Sequence, residues 1–345
     1  MQAVLPPVGP RGFLRVTQLT LGLVVANIVS GAAVRLSDSG LGCPDWPTCS
    51  RHHITPPLSL HPAIEFSNRL VVVALCVAAA ATVVAALRRR PRRRDLTWLA
   101  AGLVGGILLE VVVGAVVVYS KLNPYVVMVH FLVGIALLTV SVLLALRAGR
   151  AGTTGPSMVT AGVRRLTGLC LGVLVLAIAA GTATTGAGPH AGGPGAKRIP
   201  VPLVDMARTH AEIVLVLGAL TLGLLYLLDR TSAPAAVVDR GRLLLVAMVA
   251  QGVVGYTQYF SHLPPLLVAV HVFGVALLWT TALWFADGLF HHRPEAAVTP
   301  GADRSRPRST VVLAGPVTDT ADTPPRPTVT DAGTGVGVGV GRWQR

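Results

Sequence analysis

The sequence predicts an all-α integral membrane protein, with eight transmembrane helices as two duplicated four-helix bundles related by a pseudo-twofold axis along the membrane normal. Three observations predict this. Of 345 residues, 52% are hydrophobic and only 13% are charged. Continuously apolar runs close to the roughly 20 residues that a helix needs to cross the hydrocarbon core recur along the chain. The chain also matches itself when slid by 141 residues, which lays Val112 on Val253. Because the runs are continuous rather than alternating, helices are expected and not a β-barrel.

The spans are expected at 13–34, 63–87, 96–118, 126–146, 165–184, 208–228, 243–260 and 266–286. The first follows Arg11 and Arg15 as a signal peptide would, but its apolar stretch is too long for an h-region, so it reads as a retained helix. The second begins near His61 and runs into six arginines within residues 88–94. The third carries Glu110, and the fourth opens on Pro124 and contains His130. A basic loop with Arg164 and Arg165 precedes the fifth span, and the glycine-rich run at 181–193 follows it. The sixth, seventh and eighth spans contain His210, Gln251 and His271.

The net charge of +14 does not point to nucleic acid, because its distribution follows topology. The arginines at 88–94, with Arg147, Arg150, Arg164, Arg165, Arg230, Arg240 and Arg242, lie on one side of the spans. Arg35, Arg51, Lys121, Lys197, Arg198 and Arg208 lie on the other. The positive-inside rule makes the richer side cytoplasmic, so both termini of a multi-pass plasma-membrane protein are expected there. The expected units are residues 1–147 and 148–290, each of four helices, and a disordered cytoplasmic tail at 291–345. That tail is rich in Pro, Thr, Asp and Arg, ends in low-complexity sequence, and has too little apolar surface to order itself.

The 141-residue shift is ungapped from Val112-Val113-Gly114 on Val253-Val254-Gly255 to His130 on His271, and matches Ser120, Leu122 and Pro124 to Ser261, Leu263 and Pro265. Matched Gly, Pro and His positions are harder to obtain by chance than matched aliphatics. Each half holds an even number of spans, so both keep the same orientation. In the even spans the repeat places His210 opposite Asn68 or Arg69, depending on one gap.

His61, His130, His210 and His271 each fall near the start of a span, and all four spans enter from the same side. Ionisable groups in spans are expensive and usually functional. Neutral imidazoles from facing helices can clamp a heme iron, so a paired-histidine heme site is expected, with His210 and His271 as the best pair. His61, Glu65, Asn68 and Arg69 line one stripe of the second span. Glu65 either handles protons or charge beside a ligand, or forms a structural ion pair with Arg69. Cys43 and Cys49, expected outside the cytoplasm, suit a disulfide; a metal site with His52 and His53 is the other reading, on a spacing that fits no strong zinc pattern. Cys76 and Cys170 read as buried thiols. Glu110 and Glu212 fit either proton relay or simple hydrogen bonding, and His190 either a surface position or contact with a propionate.

With these residues in place, the chain resembles the heme A synthase family. The resemblance rests on residues 31–49 (GAAVRLSDSGLGCPDWPTC), 64–69 (IEFSNR), 122–130 (LNPYVVMVH), 181–193 (GTATTGAGPHAGG), His210 and 251–271, and covers all eight spans in order. It implies conversion of heme O to heme A, oxidising the C8 methyl group to a formyl through successive hydroxylations. It implies heme b between His210 and His271, the substrate heme on His130 in the first half, Glu65 as the carboxylate needed for activity, and a Cys43–Cys49 disulfide. Many members carry a histidine where Asn68 stands. His61 is then the candidate second ligand, the alternative being a five-coordinate substrate heme on His130 alone. Heme O synthase and terminal-oxidase assembly factors are the partners it implies, with an electron donor that the sequence does not name. The competing functions are a diheme electron-transfer cytochrome, which requires complete histidine pairs in both halves, and a transporter.

Overall fold

The computed structural model describes residues 6–43, 49, 56, 59–150 and 154–292. The tail from 293, and with it the expectation of disorder, lies outside the described residues, as do His52 and His53.

Eight helices follow in order: α1 (Pro10–Leu36), α2 (Leu60–Arg88), α3 (Arg94–Tyr119), α4 (Pro124–Ala148), α5 (Ala161–Ala187), α6 (Leu203–Arg230), α7 (Ala235–Phe260) and α8 (Pro265–Asp287). All eight are long and apolar enough to cross a membrane. The helix starts follow local chemistry. Pro10, Pro124 and Pro265 take the first helical position, where a missing N–H costs nothing and the fixed φ is already helical. Asn123 caps α4 by accepting from the Tyr125 N–H at 3.0 Å, and Thr160 caps α5 through the Val163 N–H.

Burial repeats from the first four helices to the last four. In α1, Phe13, Thr17, Thr20 and Val24 are buried; a shift of 150 carries them onto Val163, Thr167, Cys170 and Leu174, all buried in α5. The same shift lays Leu21, Gly22, Val25, Ile28 and Gly31 on Leu171, Gly172, Val175, Ile178 and Gly181. Leu75, Ala79, Thr82 and Ala86 of α2 fall on Leu217, Thr221, Leu224 and Leu228 of α6 by a shift of 142. Leu96, Ala100, Leu103 and Ile107 of α3 fall on Val237, Gly241, Leu244 and Met248 of α7 by 141. The turns repeat too: Lys121 and Leu122, like His262 and Leu263, adopt positive φ, and Leu122 N–H bonds Val117 O as Leu263 N–H bonds Gln258 O.

Each helix packs on its neighbour in sequence within each set of four, and α1, α4, α5 and α8 meet in the middle through α1–α8, α4–α5 and α4–α8 contacts. One asymmetry breaks the repeat: α1 lies along α4, whereas α5 and α8 barely touch. Large apolar side chains such as Leu19, Val77, Leu108, Leu215 and Val246 face outward, as expected where the solvent is lipid. Cys76 is among the outward-facing residues, which corrects its reading as a buried thiol; Cys170 is buried.

The basic side is bonded as well as charged. Arg93 makes a two-pronged pair with Asp95 (2.6 and 3.1 Å) and donates to Arg147 O at the end of α4. Arg150 pairs with Asp287 at the end of α8. Burial, with Arg240, Arg147 and Arg93 nearby, lowers the Arg150 guanidinium to about 10, which leaves it charged at neutral pH. A short antiparallel ribbon joins β1 (Thr154–Ser157) to β2 (Phe290–His292), tying the entry to α5 to the exit from α8.

Between α4 and α8, Trp279 Nε1 donates to Thr139 Oγ1 at 2.8 Å. Removing one partner of a hydrogen bond in hydrocarbon typically costs about 0.6 to 1 kcal/mol. Thr139→Val is therefore expected to lower stability by that amount in a reversible unfolding assay in micelles, and an unchanged midpoint would show that this contact does not hold the central helices together.

Candidate functional site

The histidines lie toward one end of the helices but not at one register. His130 and His271 each stand six residues past the proline that opens their helix, and His210 stands seven past Leu203. His61 is one residue into α2. Three rings therefore sit in the second turn of their helices and the fourth in the first.

Each of the three deeper rings lies against a glycine of the preceding helix. A Cβ on Gly114, Gly181 or Gly255 would stand 3.3, 3.2 or 3.2 Å from the Cε1 of His130, His210 or His271. Any larger residue would push the ring away, so these glycines set ring position by close approach. A second partner orients the His210 ring. His210 Nδ1 lies 3.0 Å from Ala177 O, which directs its Nε2 away from α5. His130 Nδ1 lies 3.4 Å from Glu110 Oε1, and Gln251, the repeat partner of Glu110, donates Nε2 to His271 O at 2.8 Å. Among the described residues, no group of three or more His, Cys, Asp or Glu side chains converges on one point.

Glu65 is buried at 5% exposure and fully engaged. Its Oε2 accepts the Cys43 N–H at 2.7 Å and its Oε1 accepts Arg69 Nη2 at 2.6 Å, while the same Arg69 nitrogen reaches Cys43 O at 3.3 Å. The structural ion pair thus exists, and it does more than neutralise charge: it seats the outer loop on α2. Cys43 and Cys49 are joined by a disulfide. Gly42 fits because a Cβ there would stand 2.7 Å from the His61–Pro62 backbone.

His61 Nδ1 is 3.0 Å from Ser39 Oγ, in this loop. The second outer loop is bound from the first half: Arg35 donates to His190 O at 2.8 Å and to Thr185 O at 3.0 Å. His190 Nε2 in turn lies 2.9 Å from Leu263 O, so this histidine joins the loop to the α7–α8 turn. Glu212 faces outward.

Sequence reasoning passed over Asn27, Ser30 and Ser39. The matched burial of α2 and α6 removes the one-residue ambiguity and puts Asn68, not Arg69, opposite His210. Asn68 Oδ1 accepts from Ser30 Oγ of α1 at 2.7 Å. The 150-residue register between α1 and α5 was the available signal for Asn27 and Ser30, and loops of different length hide it behind the 141-residue repeat.

The heme A synthase of Geobacillus kaustophilus is 32% identical over 129 residues, 36% of this chain and 40% of that protein. The heme A synthase of Shewanella oneidensis is 30% identical over 147 residues, 38% of this chain and 44% of that protein. That of Geobacillus thermodenitrificans is 30% identical over 132 residues, 37% and 41% of the respective chains. The chain thus spans about two fifths of the length of the curated relatives it matches. The profile of the COX15-CtaA family, described as cytochrome oxidase assembly protein, matches residues 15–61 and 59–192. That stretch exceeds half of the chain and contains the disulfide, Glu65, Asn68 and the glycine-backed His130, so the chain belongs to the COX15-CtaA family of cytochrome oxidase assembly proteins.

Proposed function

We propose that this multi-pass membrane protein is a heme A synthase, oxidising the C8 methyl of heme O to a formyl through successive hydroxylations and loss of water from the geminal diol. The observation that carries the proposal is the pair of glycine-backed imidazoles, His130 on α4 and His271 on α8, at equivalent places of a duplicated fold, one of them beside the Glu65 half. The names of the relatives support the same reading.

In this reading the first four helices hold the substrate heme and the last four hold heme b, as two bundles about an axis along the membrane normal. His210 and His271 fit heme b. Both rings occupy cradles that a Cβ would fill, and the Ala177 carbonyl leaves His210 Nε2 to coordinate. Heme b supplies one-electron transfer, which side chains cannot provide for the oxidation of a methyl group. His130 fits the substrate iron, its Nδ1 turned toward Glu110 so that Nε2 is the ligand. Glu65 holds negative charge at the outer edge of that half, where it stabilises positive charge developing on the substrate or accepts a proton from it. His61, with Nδ1 on Ser39, supports that loop. Each hydroxylation with an external electron donor uses dioxygen as the oxidant, one oxygen atom entering the substrate and the other leaving as water with two donor electrons and two protons; a heme O synthase and oxidase assembly factors are the partners before and after this step. The basic side faces the cytoplasm of a plasma-membrane protein, with both termini on that side.

His271→Ala or His210→Ala should remove at least nine tenths of bound heme b, read by pyridine hemochrome after purification; full heme b in both variants would remove the second-half assignment. Glu65→Gln keeps an acceptor for the Cys43 N–H but loses the charge. We expect heme A formation to fall about 10²-fold or more with heme b retained, and a normal rate would exclude both roles of Glu65. For orientation, Lys197→Cys should react with an impermeant maleimide in intact cells and Arg92→Cys only after permeabilisation. The reverse pattern would invert the topology.

A further inference from the structure

Opposite His271 the second half supplies an imidazole; opposite His130 the first half supplies none. The shifts of 150 and 142 carry Ala177, Ala180, Gly181 and His210 onto Asn27, Ser30, Gly31 and Asn68. Two alanines and a ligand are thus replaced by three small polar side chains. Nothing stands within 4 Å of the point a Cβ on Gly31 would occupy, whereas the corresponding point on Gly181 is 3.2 Å from the His210 ring.

The polar groups are poised rather than satisfied. Asn68 Oδ1 accepts from Ser30 Oγ at 2.7 Å, which leaves its amide N–H₂ as a donor. Asn27 Oδ1 is buried with no hydrogen-bond partner among the described residues. An acceptor lone pair left unpaired in the interior is costly and calls for an explanation. His61 stands at another depth: it lies seven residues, about 10 Å along the helix, from Asn68. A carboxamide is a poor ligand for heme iron compared with imidazole, and its chain is shorter.

Building on the synthase reading, we propose that the face of the substrate heme opposite His130 is a pocket for an exogenous ligand. Asn27, Ser30 and Asn68 hydrogen-bond a water molecule at the iron instead of a protein side chain ligating it. The donor on Asn68 and the acceptor on Asn27 suit such a molecule, and neither carries a charge that would be expensive at this depth. Oxidation of a ring substituent then takes place beside an iron with one exchangeable position, a condition that two histidine ligands would not meet.

The test uses the full chain purified from cells that make heme O, with extracted hemes identified by mass and the iron read by EPR and by CO difference spectra. The expected protein has low-spin heme b and a second, high-spin heme that binds CO when reduced. Asn68→His should convert the second heme to low spin and weaken its CO binding at least tenfold; retention of the low-spin heme b signal shows that the variant is folded. Asn27→Leu should leave the second heme high-spin and shift the C–O stretch of its carbonyl complex, a readout that a purely structural Asn27 would not move. A wild-type protein with both hemes low-spin and inert to CO would overturn the pocket, and a change to high spin in His61→Ala would then name His61 as the ligand. A protein with heme b but neither heme O nor its oxidised products would overturn the synthase reading itself, and the pocket with it.

Discussion

Lipid cannot accept or donate hydrogen bonds, and every polar group in these eight helices must therefore find its partner inside the protein. Most do. Thr17, Thr20, Thr82, Thr167 and Thr221 return their hydroxyls to carbonyls of their own helices, and Thr20 and Thr82 also meet across α1 and α2 at 2.9 Å. Buried polar atoms without a hydrogen bond include Asn27 Oδ1, Glu110 Oε2, His130 Nδ1, Gln258 Oε1 and His271 Nδ1, and also Ser141 Oγ, eleven residues past His130 in α4. Three of them belong to His130, its neighbour Glu110 and His271.

The same constraint bears on how the two sets of four helices match. Burial positions agree between them almost turn for turn, because the interior of each set must be sealed in the same geometry. The positions of the histidines are not under that pressure. Asn68 in place of His210, and Asn27 and Ser30 in place of Ala177 and Ala180, leave the packing register intact. The contrast between α1 lying along α4 and α5 standing off α8 is a second departure from symmetry.

The helices were legible because apolar length is a direct physical requirement of crossing a bilayer. Their ends were less so. The seventh span reads from 243 in hydropathy, yet α7 begins at Ala235. Asp239, Arg240 and Arg242 depress the apolar signal where the helix emerges into the interface, and nothing there stops the backbone from continuing. His130, His210 and His271 were visible because an imidazole in a span has few cheap explanations. Asn68 was visible only as a missing histidine. Ser30 and Asn27 were silent because small polar residues are common in membrane helices and draw meaning only from the side chain they face. The partners of Glu65 divide in the same way: Arg69, four residues on, follows from helix periodicity, while the Cys43 N–H requires knowing how the outer loop folds back.

That loop changes what the Glu65–Arg69 pair means. An exposed pair four residues apart would contribute a few tenths of a kcal/mol, too little to explain a carboxylate held at 5% exposure. Here the two side chains satisfy both backbone groups of Cys43, and the disulfide passes that restraint to Cys49. Breaking the disulfide would loosen Cys43, and loosening Cys43 would release one oxygen of Glu65. The loop, the disulfide and the carboxylate are therefore one mechanical unit, in which the charge on Glu65 is positioned by covalent chemistry some distance from it in sequence. On the synthase reading, a structural ion pair and a functional carboxylate are, at this position, the same arrangement seen from its two sides.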